Sequence, residues 1–361
     1  MKPENRLEFL DGMRGLAILM VVFLHYIVQM YEIPRSIHYN QNTPLPNLDL
    51  GVPLFFVISG FVIFMTLEKT PGFISFMVRR WIRLFPAMLA ATLIIFSVAH
   101  FLPHRVGGIP RLIDLVPGIS LLGANAISAL SGVQTDGLER GFWSIYVEFR
   151  FYVMFGVCFY VLGKYRSFFA MTALSIVLLG LMQAADLAGA RYSGPAHSLF
   201  GKMLLGHHLP WFLLGMHIYL YRFRSHWLVL ALIIANALVQ NAQTVGSLLA
   251  TAGVVVLIYA AFEVESVQRF FRSRILLFFG FISYPLYLLN DSLGRGMISG
   301  LYAAVPESVP FEMLSLVALM PIAFAAWCLA RYVEPTAQKW LKQHLTSRSR
   351  IKLMATPLKE S

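Results

Sequence analysis

Apolar residues in this chain come in runs, not in the alternation of a strand or the one-sided stripe of a surface helix. Crossing a bilayer takes about 20 apolar residues at about 1.5 Å of rise each. About ten stretches meet that demand: residues 13–31, 51–67, 86–102, 142–162, 168–187, 204–221, 227–239, 245–262, 276–298 and 311–332. The seventh is short and polar at its ends. The pattern predicts an all-α polytopic membrane protein of about ten transmembrane helices. Residues 1–335 form the membrane domain and 336–361 a basic, flexible cytoplasmic tail. No appended soluble domain, internal repeat or cleavable signal is expected, since residues 1–10 are polar and the first apolar run is too long for a signal peptide.

Composition agrees: 58% of the 361 residues are hydrophobic and 13% charged, with a mean hydropathy of +0.67. A net charge of +11 could mean nucleic acid, but the distribution of the charge points to a bilayer as partner and to no nucleic acid. Lys2 and Arg6 precede the first run, and Lys69, Arg79, Arg80 and Arg83 follow the second. Lys164 and Arg166 follow the fourth, Arg222 and Arg224 the sixth, Arg269, Arg272 and Arg274 the eighth. Roughly twenty Lys and Arg residues fall on this side and about seven on the other, so both termini are expected in the cytoplasm. Cys158 and Cys328 lie in apolar runs and suggest neither a disulfide framework nor a thiolate metal site. The opposite side carries two long segments, 32–50 and 103–141, rich in Pro, Gly and Asn. Loops of that length carry function or hold a partly inserted element. Within the second, 114–130 reads either as a re-entrant segment or as an amphipathic surface helix.

The first run, DGMRGLAILMVVFLHYIVQMY, holds Arg14 near its start and His25 well inside. Ionisable groups inside a bilayer are costly and so mark function. Eleven residues at about 100° each is about 20° beyond three turns, so a regular helix puts both on one face, about 16 Å apart along the axis.

Four further stretches carry polar groups. In GVPLFFVISGF, the Ser59–Gly60 pair permits close approach of a helix or ligand. In FMVRRWIRLFP, Arg80 and Arg83 share a face. That helix is either an interfacial anchor or a guanidinium clamp for phosphate. In FWSIYVEFRFY, Glu148 and Arg150 are too close in sequence to face each other. Glu148 matches His25 in depth and is expected to pair with it. In FISYPLYLLND, Tyr284 precedes a helix-loosening proline, and Tyr284 and Asn290 read as interhelical hydrogen-bonding groups. His207 and His208 lie at the opposite end of a run from His217, so no metal site is expected. His38, His100 and His104 read as solvated.

In this order the motifs resemble the acyltransferase-three family of membrane O-acyltransferases. The resemblance rests on Asp11-Gly12-Met13-Arg14-Gly15 with His25, FFVISGF, RRWIRLFP, WSIYVEFRFY, SYPLYLLN and Glu334-Pro335, and covers nearly all of residues 6–335. One departure is Asn290, where many relatives have histidine, so no proton-transfer role is given to it.

The resemblance implies transfer of an acyl group, often acetyl, from acyl-CoA to a hydroxyl of a cell-envelope glycan at the plasma membrane, with no permanently bound cofactor. On that expectation Arg14, Arg80 and Arg83 meet the phosphates of the donor. His25 is general base or is itself acylated, Glu148 orients it, and Asp11, Ser59, Trp143, Tyr284 and Asn290 support the site. Buried His, Glu and Arg on ten spans also fit a proton-coupled secondary transporter. A non-catalytic scaffold leaves the Arg14–His25 stripe without a purpose.

Overall fold

A computed structural model describes residues 5–30, 50–102, 105, 107–189, 194, 197–306 and 308–346. His38, His104, nearly all of the 32–50 segment and the tail beyond 346 lie outside the described residues. Every regular element among the described residues is helical.

Helix α1 (Asn5–Phe23) runs on into a π turn at Leu24–Val28, and α2 (Gly51–Glu68) and α3 (Phe73–Ala99) follow. Short helices α4 (Val116–Ser120) and α5 (Ala124–Ser131) precede α6 (Trp143–Leu162) and α7 (Lys164–Leu187). Next come α8 (Leu209–Tyr221), α9 (Trp227–Asn241), α10 (Val245–Glu263), α11 (Glu265–Phe271) and α12 (Arg274–Leu289). A π turn at His197–Met203 precedes α8. Another, Asn290–Gly294, joins α12 to α13 (Arg295–Ala304), and a further one, Leu329–Val333, joins α14 (Phe311–Cys328) to α15 (Glu334–Thr346).

Among the described residues eight helices are long and apolar enough to cross a membrane, or nine if the bent α4–α5 segment is one span. The chain is therefore a multi-pass membrane protein. Two of the expected spans, 204–221 and 227–239, are the shorter apolar helices α8 and α9. The 114–130 stretch is broken at Leu121, in the left-handed region with φ of 60°, and its halves meet at 117°. The arginine-rich stretch that precedes the expected third span, 86–102, is the first part of the same helix, α3, which passes through Pro86 without a break. Residues 336–346 of the expected tail are helical, continuing from the last span.

Glycines set the closest contacts. A Cβ on Gly15 would lie 2.0 Å from the Leu276 carbonyl oxygen, and one on Gly280 would lie 2.0 Å from that of Asp11, so α1 and α12 touch backbone to backbone. Gly60 and Gly215 do the same for α2 and α8. In lipid, where no apolar driving force separates helix from solvent, such close packing is what holds helices together. In the apolar 18-residue core of the α12–α13 segment 67% of residues are buried and in those of α7 and α10 only 33%, so α1, α2 and α12 form the centre and α7 and α10 the rim.

Candidate active site

A cavity of about 180 Å³ opens among the central helices. Six helices supply polar side chains, among them Arg14 from α1, Ser59 from α2, Arg83 from α3, Glu148 from α6, Tyr284 from α12 and Glu334 from the first turn of α15. Asp11, one turn before Arg14, accepts a 2.8 Å hydrogen bond from Arg14 Nη1 and fixes its guanidinium. Oε1 of Glu148 accepts from Ser59 Oγ at 2.5 Å and from the Tyr152 hydroxyl at 2.6 Å. The Tyr284 hydroxyl donates to the Leu84 carbonyl at 2.8 Å, tying α12 to α3 one residue before Pro285. Ser144 and Tyr287 also line the cavity, the Ser144 hydroxyl donating to that of Tyr287 at 2.7 Å.

His25 is half-buried, sits in the first π turn and is absent from the cavity lining. Its Nδ1 lies 2.5 Å from Oδ1 of Asn290, in the π turn that follows α12. The expected His25–Glu148 pairing is therefore replaced by His25–Asn290, with Glu148 held by Ser59 and Tyr152. The straight-helix estimate carries the Arg14 face as far as Phe23. The π turn, with its i→i+5 bonds, then changes the phase and aims the ring at α12.

Arg80 and Arg83 also part company. Arg80 is 4% exposed, donates to Thr66 Oγ1 and lies over the rings of Phe76 and Tyr152 at 5.5 and 5.4 Å. It stands outside the cavity lining, whereas Arg83 faces the cavity. Trp143 is also outside the lining, 43% exposed, with its ring 5.2 Å from that of His208.

Sequence reasoning gave Glu334 no role of its own. Its Oε1 is buried at the cavity without a hydrogen-bond partner. A carboxylate in the turn that ends the last span was the available signal.

A charged cluster lies beyond Asn290. Asp291 meets Arg295 at 3.5 Å and Arg140 at 3.9 Å. Glu139 accepts from the Ser292 amide at 3.2 Å and from its hydroxyl. Burial, with Asp291 beside it, pushes the Glu139 carboxyl above its ordinary value. Among the described residues no three His, Cys, Asp or Glu side chains are grouped to hold a metal.

A helical membrane bundle whose centre opens into a cavity lined by guanidiniums and carboxylates, with a held histidine beyond it, suits group transfer within the bilayer. The profile of the family described as acyltransferase domain matches residues 7–332, so the chain belongs to that family and is a membrane acyltransferase. It is 32% identical to protein 2 of the picA locus of Rhizobium radiobacter over 166 residues, 40% of this chain and 78% of that protein. It is 28% identical over 197 residues to a Staphylococcus aureus (strain COL) protein provisionally named an O-acetyltransferase, covering 50% of this chain. The match spans 30% of the staphylococcal protein's length, and a counterpart in strain MSSA476 gives the same figures. No solved structure matches.

Proposed function

We propose that this protein moves an acyl group, acetyl foremost, from cytosolic acyl-CoA to a hydroxyl of a glycan outside the plasma membrane, with His25 as general base. Both termini are cytoplasmic in this reading, and so is the Arg14 end of the cavity. The observation that carries it is the cavity itself, where six helices converge on two guanidiniums and two carboxylates, with His25 in the π turn that follows α1.

Arg14 and Arg83 suit the anionic part of the donor, since guanidinium forks match phosphate oxygens. An extended pantetheine arm spans on the order of the ~16 Å between Arg14 and His25, which brings the thioester beside the imidazole. His25 takes the proton of the acceptor hydroxyl as its oxygen bonds to the thioester carbon. The C–S bond then breaks, and the imidazolium returns the proton to the leaving thiolate, so no net proton is released. In this reading the described residues 107–141 lie on the acceptor side.

The test is CoA release from acetyl-CoA by protein purified in detergent, for wild type, His25→Ala and Arg83→Ala. The reading expects turnover by wild type, none by His25→Ala and a raised KM for Arg83→Ala. Turnover by His25→Ala at the wild-type rate overturns it. A labelled acyl-enzyme present in wild type and absent from His25→Ala replaces the base role by covalent catalysis at the same residue.

A further inference from the structure

The acyl-transfer reading leaves open which ring nitrogen of His25 takes the proton and what holds the ring. We infer that Asn290 is the positioning residue of His25, fixing Nδ1 as the protonated nitrogen and leaving Nε2 as the base. This inference rests on the proposed role of His25.

The argument is one of donors and acceptors. Asn290 is fully buried. Its Nδ2 group donates twice, to the Leu286 carbonyl at 3.0 Å and the Tyr287 carbonyl at 2.8 Å. Both amide hydrogens are thereby used within the last turn of α12. Only Oδ1 remains to face His25, and an amide oxygen accepts and never donates. The 2.5 Å contact then requires a hydrogen on Nδ1. In a neutral imidazole the other nitrogen, Nε2, carries the lone pair.

The backbone carbonyls that orient the amide belong to a helix that contains Pro285 and runs into a π turn, and the imidazole belongs to another π turn in contact with it. The charged groups nearest the ring are Asp291 and Arg295 beyond α12 and Arg140 before α6. They are paired with one another, Asp291 with both arginines, and make no hydrogen bond to His25. Asn290 is therefore the orienting group. Being an amide, it cannot exchange the proton, so His25 works as a single base.

Three variants of the full-length enzyme in detergent test this. Asn290→Leu keeps the volume and removes the acceptor; Asn290→Asp keeps the acceptor and adds charge; Asn290→His adds a titrating group. Acetyl-CoA turnover is followed from pH 5 to 9, with acetyl-CoA binding and the thermal midpoint measured alongside. Asn290→Leu is expected to lose about 100-fold in kcat with the KM for acetyl-CoA within twofold of wild type. Asn290→Asp is expected to keep most of its activity at alkaline pH, with the acid limb moved up because a carboxylate holds the imidazolium. Asn290→His is expected to add a second ionisation to the profile. Wild-type kcat in Asn290→Leu overturns the inference, and so do acid limbs that stay in place in Asn290→Asp and Asn290→His. Should Asn290→Leu fail to fold, those two profiles decide. An active His25→Ala overturns the parent reading, whereas an inactive His25→Ala beside a fully active Asn290→Leu overturns this inference alone.

Discussion

Arg80 and Arg83 stand three residues apart on α3 and meet opposite surroundings: Arg80 is sealed between two aromatic rings and Thr66, and Arg83 opens onto the cavity. Their substitutions should separate accordingly. Arg80→Ala removes a charged hydrogen bond and two ring contacts and should cost about 2–3 kcal/mol of stability. Arg83→Ala should leave the thermal midpoint alone and raise the KM for acetyl-CoA about tenfold, with kcat within a few-fold. Thermal unfolding and steady-state kinetics on both variants check this. The reverse pattern would move the donor contact to Arg80.

Glu334 presents a bare carboxylate oxygen to the cavity, and a buried acceptor without a partner is a cost to the folded state. Glu334→Gln should therefore unfold at an equal or higher temperature than wild type while its kcat/KM for acetyl-CoA drops several-fold. A variant that loses stability and keeps kcat/KM would make Glu334 a structural group instead.

The glycine contacts give a stability prediction independent of chemistry. Gly15→Ala drives a methyl group to 2.0 Å from the Leu276 carbonyl oxygen and should cost more than about 3 kcal/mol, because backbone, not a flexible side chain, must move. Gly253→Ala on α10 meets nothing within 4 Å and should be neutral or stabilising by a few tenths of a kcal/mol. Folded yield from membranes and thermal midpoints in detergent distinguish the two.

Glu139 supplies the pH dependence. Its carboxyl is raised above the ordinary 4.5 by burial and then by Asp291, so the folded state holds this proton more tightly than the unfolded chain does. The associated stability is fully present below about pH 4.5 and is lost as pH rises through the folded value. Glu139→Gln mimics the protonated acid and keeps an acceptor for Ser292. Its midpoint should match wild type near pH 4 and exceed it at pH 8, as thermal scans across that range will show. Parallel curves would remove Glu139 as the source.

The sequence was most informative where a bilayer enforces it. Run length alone located the long helices, because a spanning segment has to be helical and apolar throughout. It also singled out Arg14, Ser59, Arg83, Glu148 and Tyr284, all of which line one cavity, because polar groups in apolar runs are conspicuous. It failed on pairing. Depth matching brought His25 toward Glu148, yet depth says nothing about which helix lies alongside, and α1 packs most closely on α12. The different fates of Arg80 and Arg83 were equally hidden, since adjacent turns on one face differ only in what the neighbouring helices present. Glu334 escaped because its significance lies in having no partner, which no sequence displays.

Three of the four π turns among the described residues, those at Leu24–Val28, Asn290–Gly294 and Leu329–Val333, give the site a peculiar fragility. Each amounts to an α-helix carrying one residue more than its pitch accommodates. His25 lies within the first, Asn290 within the second, and Glu334 directly follows the third. Loss of one residue from any of them would let the helix relax to regular winding and swing everything beyond it by about 100°. The reactive geometry is thus one codon away from an ordinary helical bundle that would still insert, still pack on its glycines and transfer nothing.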